Sequence, residues 1–237
     1  MPEKDRNKQK GPDIRNSMVK VTIDGDTMFV DANQYQPQVE HAKKLLRQKR
    51  LPKNPKPQEW RSEEVSLHKI ADYKPFNFVD GEGVRCSLYV SGCLFDCPGC
   101  YNLAAQNFNY GQPYTQELED RIITDLSQSY VQGLTLLGGE PFLNTEVCLK
   151  LINRIRKEFG YSKDIWSWSG YTWDELQKET PDKKEMLSKI DILVDGRFLE
   201  AKKDLTLQFR GSSNQRIIDV PKSLKTGEVV IWNKLVR

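Results

Sequence analysis

The sequence has only two histidines, no long apolar run, and no apolar region close to its N-terminus. A membrane-spanning helix needs about 20 consecutive apolar residues, and a secretory signal needs an apolar core behind its first charges. Residues 1–16 are mostly polar and charged instead. We therefore expect a soluble, cytoplasmic protein with no membrane contact.

The sequence also lacks the regular cysteine pattern of a disulfide-stabilised secreted domain. It has five cysteines, and three of them lie within residues 93–100, while Cys86 and Cys148 stand apart from them. In a reducing compartment, a tight group of cysteines more often binds metal than forms disulfides. This grouping excludes a disulfide framework and favours a metal site.

The charge distribution and prolines indicate two regions. Residues 1–57 contain 13 Lys or Arg against 7 Asp or Glu, whereas the other 180 residues contain 23 against 26. Three prolines within residues 52–57 exclude helix or sheet interior, so this stretch reads as a linker. We expect a basic extension over 1–57 and a catalytic domain over 58–237. A solvated, partly disordered tail is favoured over a nucleic-acid-binding one.

Within the extension, residues 19–23 and 27–30 flank Asp24-Gly25-Asp26, which predicts a β-hairpin. Residues 38–49 predict a short helix. Residues 58–237 alternate between strand and helix patterns, which predicts a mainly parallel sheet with a site at the carboxyl ends of its strands. The predicted strands are 84–90, 133–137, 165–168, 192–194, 216–220 and 228–232, and the predicted helices are 115–130, 145–159 and 173–178. A Lys/Gly turn is expected between the last two strands.

The cysteine loop carries the strongest chemical signal. Cys93, Cys97 and Cys100 follow the spacing C-x3-C-x2-C, directly after the predicted strand 84–90. Three thiolates on one loop suit a cubane iron–sulfur cluster that leaves its fourth iron open to an exogenous ligand. This donor set therefore predicts an iron–sulfur site.

Three other interpretations of the cysteines remain open. A zinc site would need a remote fourth ligand, for which Cys148 and His68 are candidates. A redox pair formed by Cys97 and Cys100 should open a helix and leaves Cys93 without a role. A metal-binding module without catalytic turnover is the third alternative.

The cysteine spacing resembles the signature of the radical S-adenosylmethionine superfamily. The longer string from Val79 to Cys93, ending in Cys97-Pro98-Gly99-Cys100-Tyr101-Asn102, resembles one branch, the activating proteins of anaerobic (class III) ribonucleoside-triphosphate reductase. Further segments continue the resemblance, namely Gly138–Pro141, Ser169–Thr172, Val194–Phe198 and Phe209–Arg216. In most of the superfamily an aromatic residue precedes the third cysteine, but this branch resembles the present sequence in having glycine there.

The resemblance implies an α/β fold with a partial, open (β/α) barrel, a [4Fe-4S] cluster on Cys93, Cys97 and Cys100, and S-adenosylmethionine as second cofactor. It also implies a target glycine near the C-terminus of the reductase large subunit, and reduced flavodoxin or a similar carrier as electron donor. Activation of another glycyl radical enzyme, such as pyruvate formate-lyase, is the enzymatic alternative. No catalytic residue is expected beyond the cluster ligands. The expected S-adenosylmethionine contacts are Gly99, Cys100, Tyr101, Gly138, Gly139, Glu140 and Pro141.

Other polar and aromatic residues have weaker signals. The Gly138–Pro141 segment by itself also fits a plain βα turn. Strand-end Ser167, Ser169 and Asp195 could reach the ribose or the sulfonium. Arg210 and Arg216 fit pairing with partner carboxylates and a solvated surface equally well. The tryptophans Trp166, Trp168 and Trp173 are expected mainly in the core.

Overall fold

The computed structural model describes residues 18–23, 26–31 and 51–233, and it divides the chain into two compact units, residues 1–50 and residues 51–237. No helix among these described residues is long and apolar enough to cross a bilayer. The predicted domain boundary at residue 57 stays a prediction.

The first unit contains the predicted hairpin. Strands β1 (Met18–Ile23) and β2 (Asp26–Asp31) pair antiparallel, with Ile23 opposite Asp26, so the hairpin prediction is confirmed. The predicted helix over residues 38–49 and the polar tail over residues 1–16 lie outside the described residues.

The second unit is built on a seven-stranded sheet. Its strands are β3 (Lys69–Asn77), β4 (Val84–Val90), β5 (Gln112–Pro113), β6 (Val131–Gly138), β7 (Asp164–Trp168), β8 (Ile192–Asp195) and β9 (Arg216–Asp219). The strand order is β5-β3-β4-β6-β7-β8-β9. The four central strands, β4, β6, β7 and β8, are parallel, whereas β3, β5 and β9 join antiparallel. The sheet is therefore an open mixed α/β sheet with a parallel centre, as expected, and with antiparallel edges.

Six α-helices lie before, between or after these strands in residues 51–233. They are α1 (Ser62–Val65), α2 (Gln116–Leu126), α3 (Thr145–Phe159), α4 (Trp173–Leu176), α5 (Pro181–Lys189) and α6 (Val220–Thr226). Helix α2 begins where the sequence predicts, because the Thr115 hydroxyl accepts the Leu118 N–H and so caps its first turn. The three predicted helices correspond to α2, α3 and α4, but α2 ends at Leu126 and α4 at Leu176, short of the predicted ends at residues 130 and 178.

The sheet separates two apolar clusters. On one face, fully buried β-strand residues such as Leu134 pack with helix residues such as Ile122 and Ile152 in the main core. On the other face, Trp166 and Trp232 belong to a smaller cluster, with ring centroids 4.9 Å apart. The central strands are therefore covered on both faces, which is typical of parallel strands.

The prediction for the C-terminal region is wrong in part. Residues 216–219 form β9, but α6 follows in place of a turn, and the segment predicted as a strand over 228–232 makes only one isolated bridge, from Ile231 to Ile218. The reason is local. The Asp219 carboxylate accepts the Lys222 N–H and Pro221 lies in the first turn, and both features favour a helix start.

Several elements were not predicted from the sequence, among them β3 and α5. Strand β3 has a register irregularity at each end of its pairing with β4, and most of its residues are not fully buried, which weakens its alternation. Helix α5 is strongly polar, so its apolar spacing gives little signal. Both elements still contribute contacts that hold the site described next.

Candidate cluster-binding site

The cysteine loop leaves the carboxyl end of β4 and is folded back on itself by backbone hydrogen bonds. The Gly92 N–H donates to the Ala105 carbonyl at 2.7 Å, and the Cys93 N–H donates to the Gln106 carbonyl at 3.0 Å. The Cys100 N–H donates to the Cys97 carbonyl at 3.2 Å. These bonds fix a short loop with three partly exposed cysteines at the carboxyl edge of the sheet.

Phe95 anchors this loop to the protein body. Its side chain is 1% exposed, and its ring packs against Trp60 at 5.1 Å and Tyr171 at 4.9 Å between centroids. A Cβ atom at Gly170 would come within 2.4 Å of the same ring, so glycine is required there for Phe95 to fit. One aromatic side chain therefore fixes the loop between its first two cysteines.

The Gly138–Pro141 turn lies directly beside the cysteine loop, as the strand order predicts. The Glu140 N–H donates to the Gly92 carbonyl and the Gly139 N–H donates to the Val90 carbonyl, both at 2.8 Å. A Cβ atom at Gly139 would lie 2.4 Å from the Gly92 carbonyl oxygen. Only glycine permits this approach, so the two motifs share one backbone interface.

Glu140 connects the ends of β6 and β7. Its carboxylate accepts hydrogen bonds from the Gly170 N–H at 2.7 Å, the Ser169 hydroxyl at 2.9 Å and the Phe142 N–H at 3.0 Å. The residue is 1% exposed, and this burial raises the pKa of Glu140 to about 7. A contact between Glu140 and S-adenosylmethionine stays a prediction. The carboxylate's bonds within the chain establish a positioning role.

The thiols of the loop influence one another. Burial raises the pKa of Cys93 well above the ordinary thiol range, and Glu140, Cys97 and Cys100 add to this effect through their charges. Burial also raises the pKa of Cys97 to about 11. These thiols therefore lose their protons readily only when a positive charge compensates them. Their chemistry fits a cluster that binds thiolates and displaces protons when it forms.

A single metal ion fits the described residues less well. Among residues 51–233, no three His, Cys, Asp or Glu side chains, the loop cysteines included, converge as ligands of one ion in this arrangement. The two candidate remote zinc ligands have other partners. Cys148 is buried with its sulfur 3.7 Å from the Pro141 carbonyl oxygen, and the His68 imidazole lies 3.1 Å from the Glu146 carboxylate.

The redox-pair interpretation predicts a helix starting at Cys97. Residues 98–103 instead form turns, followed by a 3-10 turn over Ala104–Gln106. The backbone around Gly99 is left-handed, with φ at +71°, which a helix start does not permit. This interpretation is therefore wrong for the loop.

The polar residues at the other strand ends take part in structural contacts. The Asp195 carboxylate, 1% exposed, accepts the Trp173 N–H at 2.7 Å and the Arg216 Nε–H at 3.0 Å. Arg216 therefore pairs within the chain, in contrast to both sequence interpretations. Arg210 donates to the Gln215 carbonyl at 3.2 Å.

Of the remaining predicted residues, Ser167 is fully buried and Ser169 binds Glu140. Trp166 and Trp173 are buried in the core as expected. Trp168 is half-buried and stacks on Trp166 at 6.0 Å between centroids. Tyr101, a predicted cofactor contact, is 97% exposed beside Cys100.

Sequence reasoning missed the contacts of residues 53–60 with the cysteine loop and with helix α5. The Lys53 N–H donates to the Phe95 carbonyl at 2.8 Å, and Lys183, fully buried, donates to the Trp60 carbonyl. Lys183 also contacts the Glu179 carboxylate at 2.8 Å. The one sequence signal for this arrangement is Phe95 itself, an aromatic residue within a polar Gly/Pro loop.

Comparison with known proteins agrees with this geometry. The family described as "4Fe-4S single cluster domain" matches residues 79–218, which include both motifs. The chain therefore carries an iron–sulfur cluster domain of that class.

Curated relatives define the family more closely. The anaerobic ribonucleoside-triphosphate reductase-activating protein of Escherichia coli K12 is 46% identical over 147 residues, which cover 60% of this chain and 93% of that protein. The protein of the same name from Haemophilus influenzae is 44% identical over 149 residues, covering 61% and 94%. That of Enterobacteria phage T4 is 39% identical over 147 residues, covering 60% and 88%.

The chain belongs to the family of anaerobic ribonucleoside-triphosphate reductase-activating proteins. It is a radical S-adenosylmethionine enzyme whose cofactors are a [4Fe-4S] cluster and S-adenosylmethionine.

Proposed function

We propose that this protein cleaves S-adenosylmethionine reductively and generates a glycyl radical on the large subunit of anaerobic ribonucleoside-triphosphate reductase. The observation that carries the proposal is the shared backbone interface between the cysteine loop and the Gly138–Pro141 turn, where the Glu140 N–H donates to the Gly92 carbonyl at 2.8 Å. A cluster on the loop and a ligand on the turn would be immediate neighbours.

In this proposal, Cys93, Cys97 and Cys100 hold the cluster. The residues Gly99, Cys100 and Tyr101 contact the adenine side of S-adenosylmethionine, and Gly138, Gly139, Glu140 and Pro141 contact its methionine side. When bound, the cluster supplies the electron that splits S-adenosylmethionine into methionine and a 5′-deoxyadenosyl radical, which takes a hydrogen atom from the target glycine. No residue beyond the cluster ligands is assigned a catalytic role.

The residues of the chain position the cysteine loop and the Gly138–Pro141 turn relative to each other. Phe95 fixes the cysteine loop through its contacts with Trp60 and Tyr171. Glu140 fixes the turn through its bonds to Ser169 and Gly170. Because both anchors are buried, the two halves of the site keep their separation without a ligand, which reduces the entropy cost of binding.

The proposal includes a partial radical S-adenosylmethionine barrel and a macromolecular substrate. An open sheet suits a target glycine carried on a C-terminal loop of another protein, because a closed barrel would leave no lateral entrance. The electron donor is reduced flavodoxin or a similar carrier. A cytoplasmic location is part of the proposal, since free thiols persist there, and neither a membrane nor nucleic acid is assigned as a partner.

The test is anaerobic reconstitution with iron and sulfide, followed by reductant and S-adenosylmethionine. We expect 5′-deoxyadenosine from the intact protein and none from Cys97→Ala. Product from Cys97→Ala, or none from the intact protein, contradicts the proposal. Metal analysis that finds one zinc and no sulfide would favour the non-catalytic module.

A further inference from the structure

The loop after β8 runs along the cysteine loop and contacts it at three points. The Arg197 guanidinium carbon lies 4.7 Å from the centre of the Phe95 ring. A backbone hydrogen bond joins Phe198 to the Cys97 sulfur. The Glu200 carboxylate then lies against Gly99. This succession of contacts fixes the position of Glu200 relative to the cysteines.

Arg197 also fixes the loop after β8 through contacts with residues outside the cysteine loop. Its guanidinium makes two bonds to the Glu175 carboxylate, at 2.6 and 2.8 Å, and one to the Lys53 carbonyl at 3.1 Å. The Lys203 N–H donates to the Glu200 carbonyl at 3.0 Å and closes a 3-10 turn over Glu200–Lys202. The backbone that presents Glu200 is therefore well supported on both sides.

The Glu200 carboxylate occupies the space that a side chain at position 99 would take. A Cβ atom at Gly99 would lie 2.8 Å from Glu200 Oε1 and 2.9 Å from its carboxyl carbon. Gly99 also has φ at +71°, in the region that favours glycine. Glycine before the third cysteine thus permits a carboxylate to reach the cysteine loop.

This carboxylate has no donor within the part of the chain that the structure describes. The side chain of Glu200 is exposed, and none of residues 51–233 donates a hydrogen bond or a salt bridge to it. An ionised carboxylate only accepts hydrogen bonds. Beside three cysteines that become thiolates when they bind metal, a further negative group is unfavourable unless a donor compensates it. The arrangement therefore points to a ligand that brings an N–H group.

We propose that Glu200 accepts a hydrogen bond from the 6-amino group of the adenine of S-adenosylmethionine, and that it makes the site specific for adenine. This inference rests on the proposed function, which assigns the adenine to the backbone around Gly99 and Tyr101. The 6-amino group is a donor, whereas the 6-oxo group of hypoxanthine is an acceptor that a carboxylate repels. The N1–H donor of hypoxanthine lies at a different ring position, so a carboxylate placed for the 6-amino group does not bind it equally well. Glu200 therefore distinguishes the two bases.

The test compares two ligands on the full-length, anaerobically reconstituted protein. Isothermal titration calorimetry measures the dissociation constants of S-adenosylmethionine and of its analogue with oxygen in place of the 6-amino group. We expect the unmodified protein to prefer S-adenosylmethionine by at least about tenfold, as one hydrogen bond to a charged group provides. In Glu200→Gln, whose amide both donates and accepts, this preference should fall by about tenfold.

Glu158→Gln is the matched control, because Glu158 is exposed near the end of α3 and outside the site. It should keep the preference of the unmodified protein. If Glu200→Gln does not retain iron, the ratio is measured in Glu200→Asp, whose shortened side chain keeps the charge and should lose the preference as well.

Two outcomes overturn the inference. An unchanged preference in the Glu200 variant means that its carboxylate does not contact the base. An equal weakening of both ligands means that it acts through charge on the sulfonium or ammonium group. Neither outcome affects the proposed function, which fails separately if the unmodified protein forms no 5′-deoxyadenosine.

Discussion

The Ser169 hydroxyl donates a hydrogen bond of 2.9 Å to the carboxylate of Glu140, and this bond joins the carboxyl ends of β7 and β6. The Gly170 N–H binds the second carboxylate oxygen at 2.7 Å. A single buried carboxylate therefore holds together two strand ends that border the cysteine loop. Its charge state connects the stability of the site to pH.

Glu140 should give the protein a stability that falls as pH rises. Burial raises the pKa of Glu140 from 4.5 to about 7, so the folded form binds more protons than the unfolded form between these values. The resulting stabilisation is complete below about pH 4.5 and is lost as pH rises through 7, by up to about 3 kcal/mol. Anaerobic urea unfolding at pH 5 and pH 7.5 measures it.

Glu140→Gln provides the comparison, because every other group titrates in both proteins. The free energy of unfolding should fall between the two pH values by at least about 2 kcal/mol more in the unmodified protein than in the variant. Equal falls in the two proteins would show that Glu140 does not titrate in this range.

Phe95→Ala should release the cysteine loop while leaving all cysteines in place. Removal of this buried ring costs about 3–5 kcal/mol and leaves a cavity between Trp60 and Tyr171. We expect a lower unfolding midpoint and less iron per chain after reconstitution. Leu151 is fully buried within α3, so Leu151→Ala should lower the free energy of unfolding by about 2–5 kcal/mol but keep the iron. Equal iron contents in both variants would contradict an anchoring role for Phe95.

Gly139→Ala should separate the two halves of the site. The new methyl group would lie 2.4 Å from the Gly92 carbonyl oxygen and 2.7 Å from that of Ala105, and neither backbone atom can move without the loop. We expect a loss of iron and a destabilisation of at least about 1–3 kcal/mol. Gly227→Ala meets no atom within 4 Å but is strained at φ +75°, so it should cost about 1–2 kcal/mol and keep the iron. Full iron content in Gly139→Ala would exclude the shared interface as a requirement.

Lys183 and Glu179 should behave as one buried unit. Lys183 contacts Glu179 at 2.8 Å and the Tyr171 hydroxyl at 3.1 Å, and both charged residues are almost fully buried. Lys183→Met leaves an unpaired buried carboxylate, so we expect a loss of about 3–5 kcal/mol in urea unfolding. The double variant with Glu179→Gln should recover part of this loss. Additive losses in the double variant would mean that the two charges are not coupled.

The sequence predicted the parts of the fold that depend on local patterns. The strand over 84–90, the capped helix after Thr115 and the hairpin in the first unit all follow from spacing within a few residues. The proximity of the cysteine loop to the Gly138–Pro141 turn follows from one further step, since consecutive parallel strands end at the same edge of a sheet. Both steps use only local residue patterns and the order of the strands along the chain.

The rest depends on contacts between distant segments. Glu140 reaches Gly170 across 30 residues, and Lys183 reaches the carbonyl of Trp60 across 123. The periodicity of apolar residues within a helix or strand does not predict such long-range hydrogen bonds. Residues 220–226 fit both a turn and a helix by composition, and the Asp219 cap decides between them. The sequence also left Arg216 as a surface residue, although Asp195 binds it.

The most direct test of the central claim is electron paramagnetic resonance of the target protein. The reconstituted protein, reductant and S-adenosylmethionine are incubated anaerobically with the large subunit of anaerobic ribonucleoside-triphosphate reductase, and in parallel with pyruvate formate-lyase. We expect a glycyl radical signal on the reductase subunit alone, and no signal when Cys97→Ala replaces the intact protein. A signal on pyruvate formate-lyase alone, or a reductase signal that persists with Cys97→Ala, would contradict this expectation.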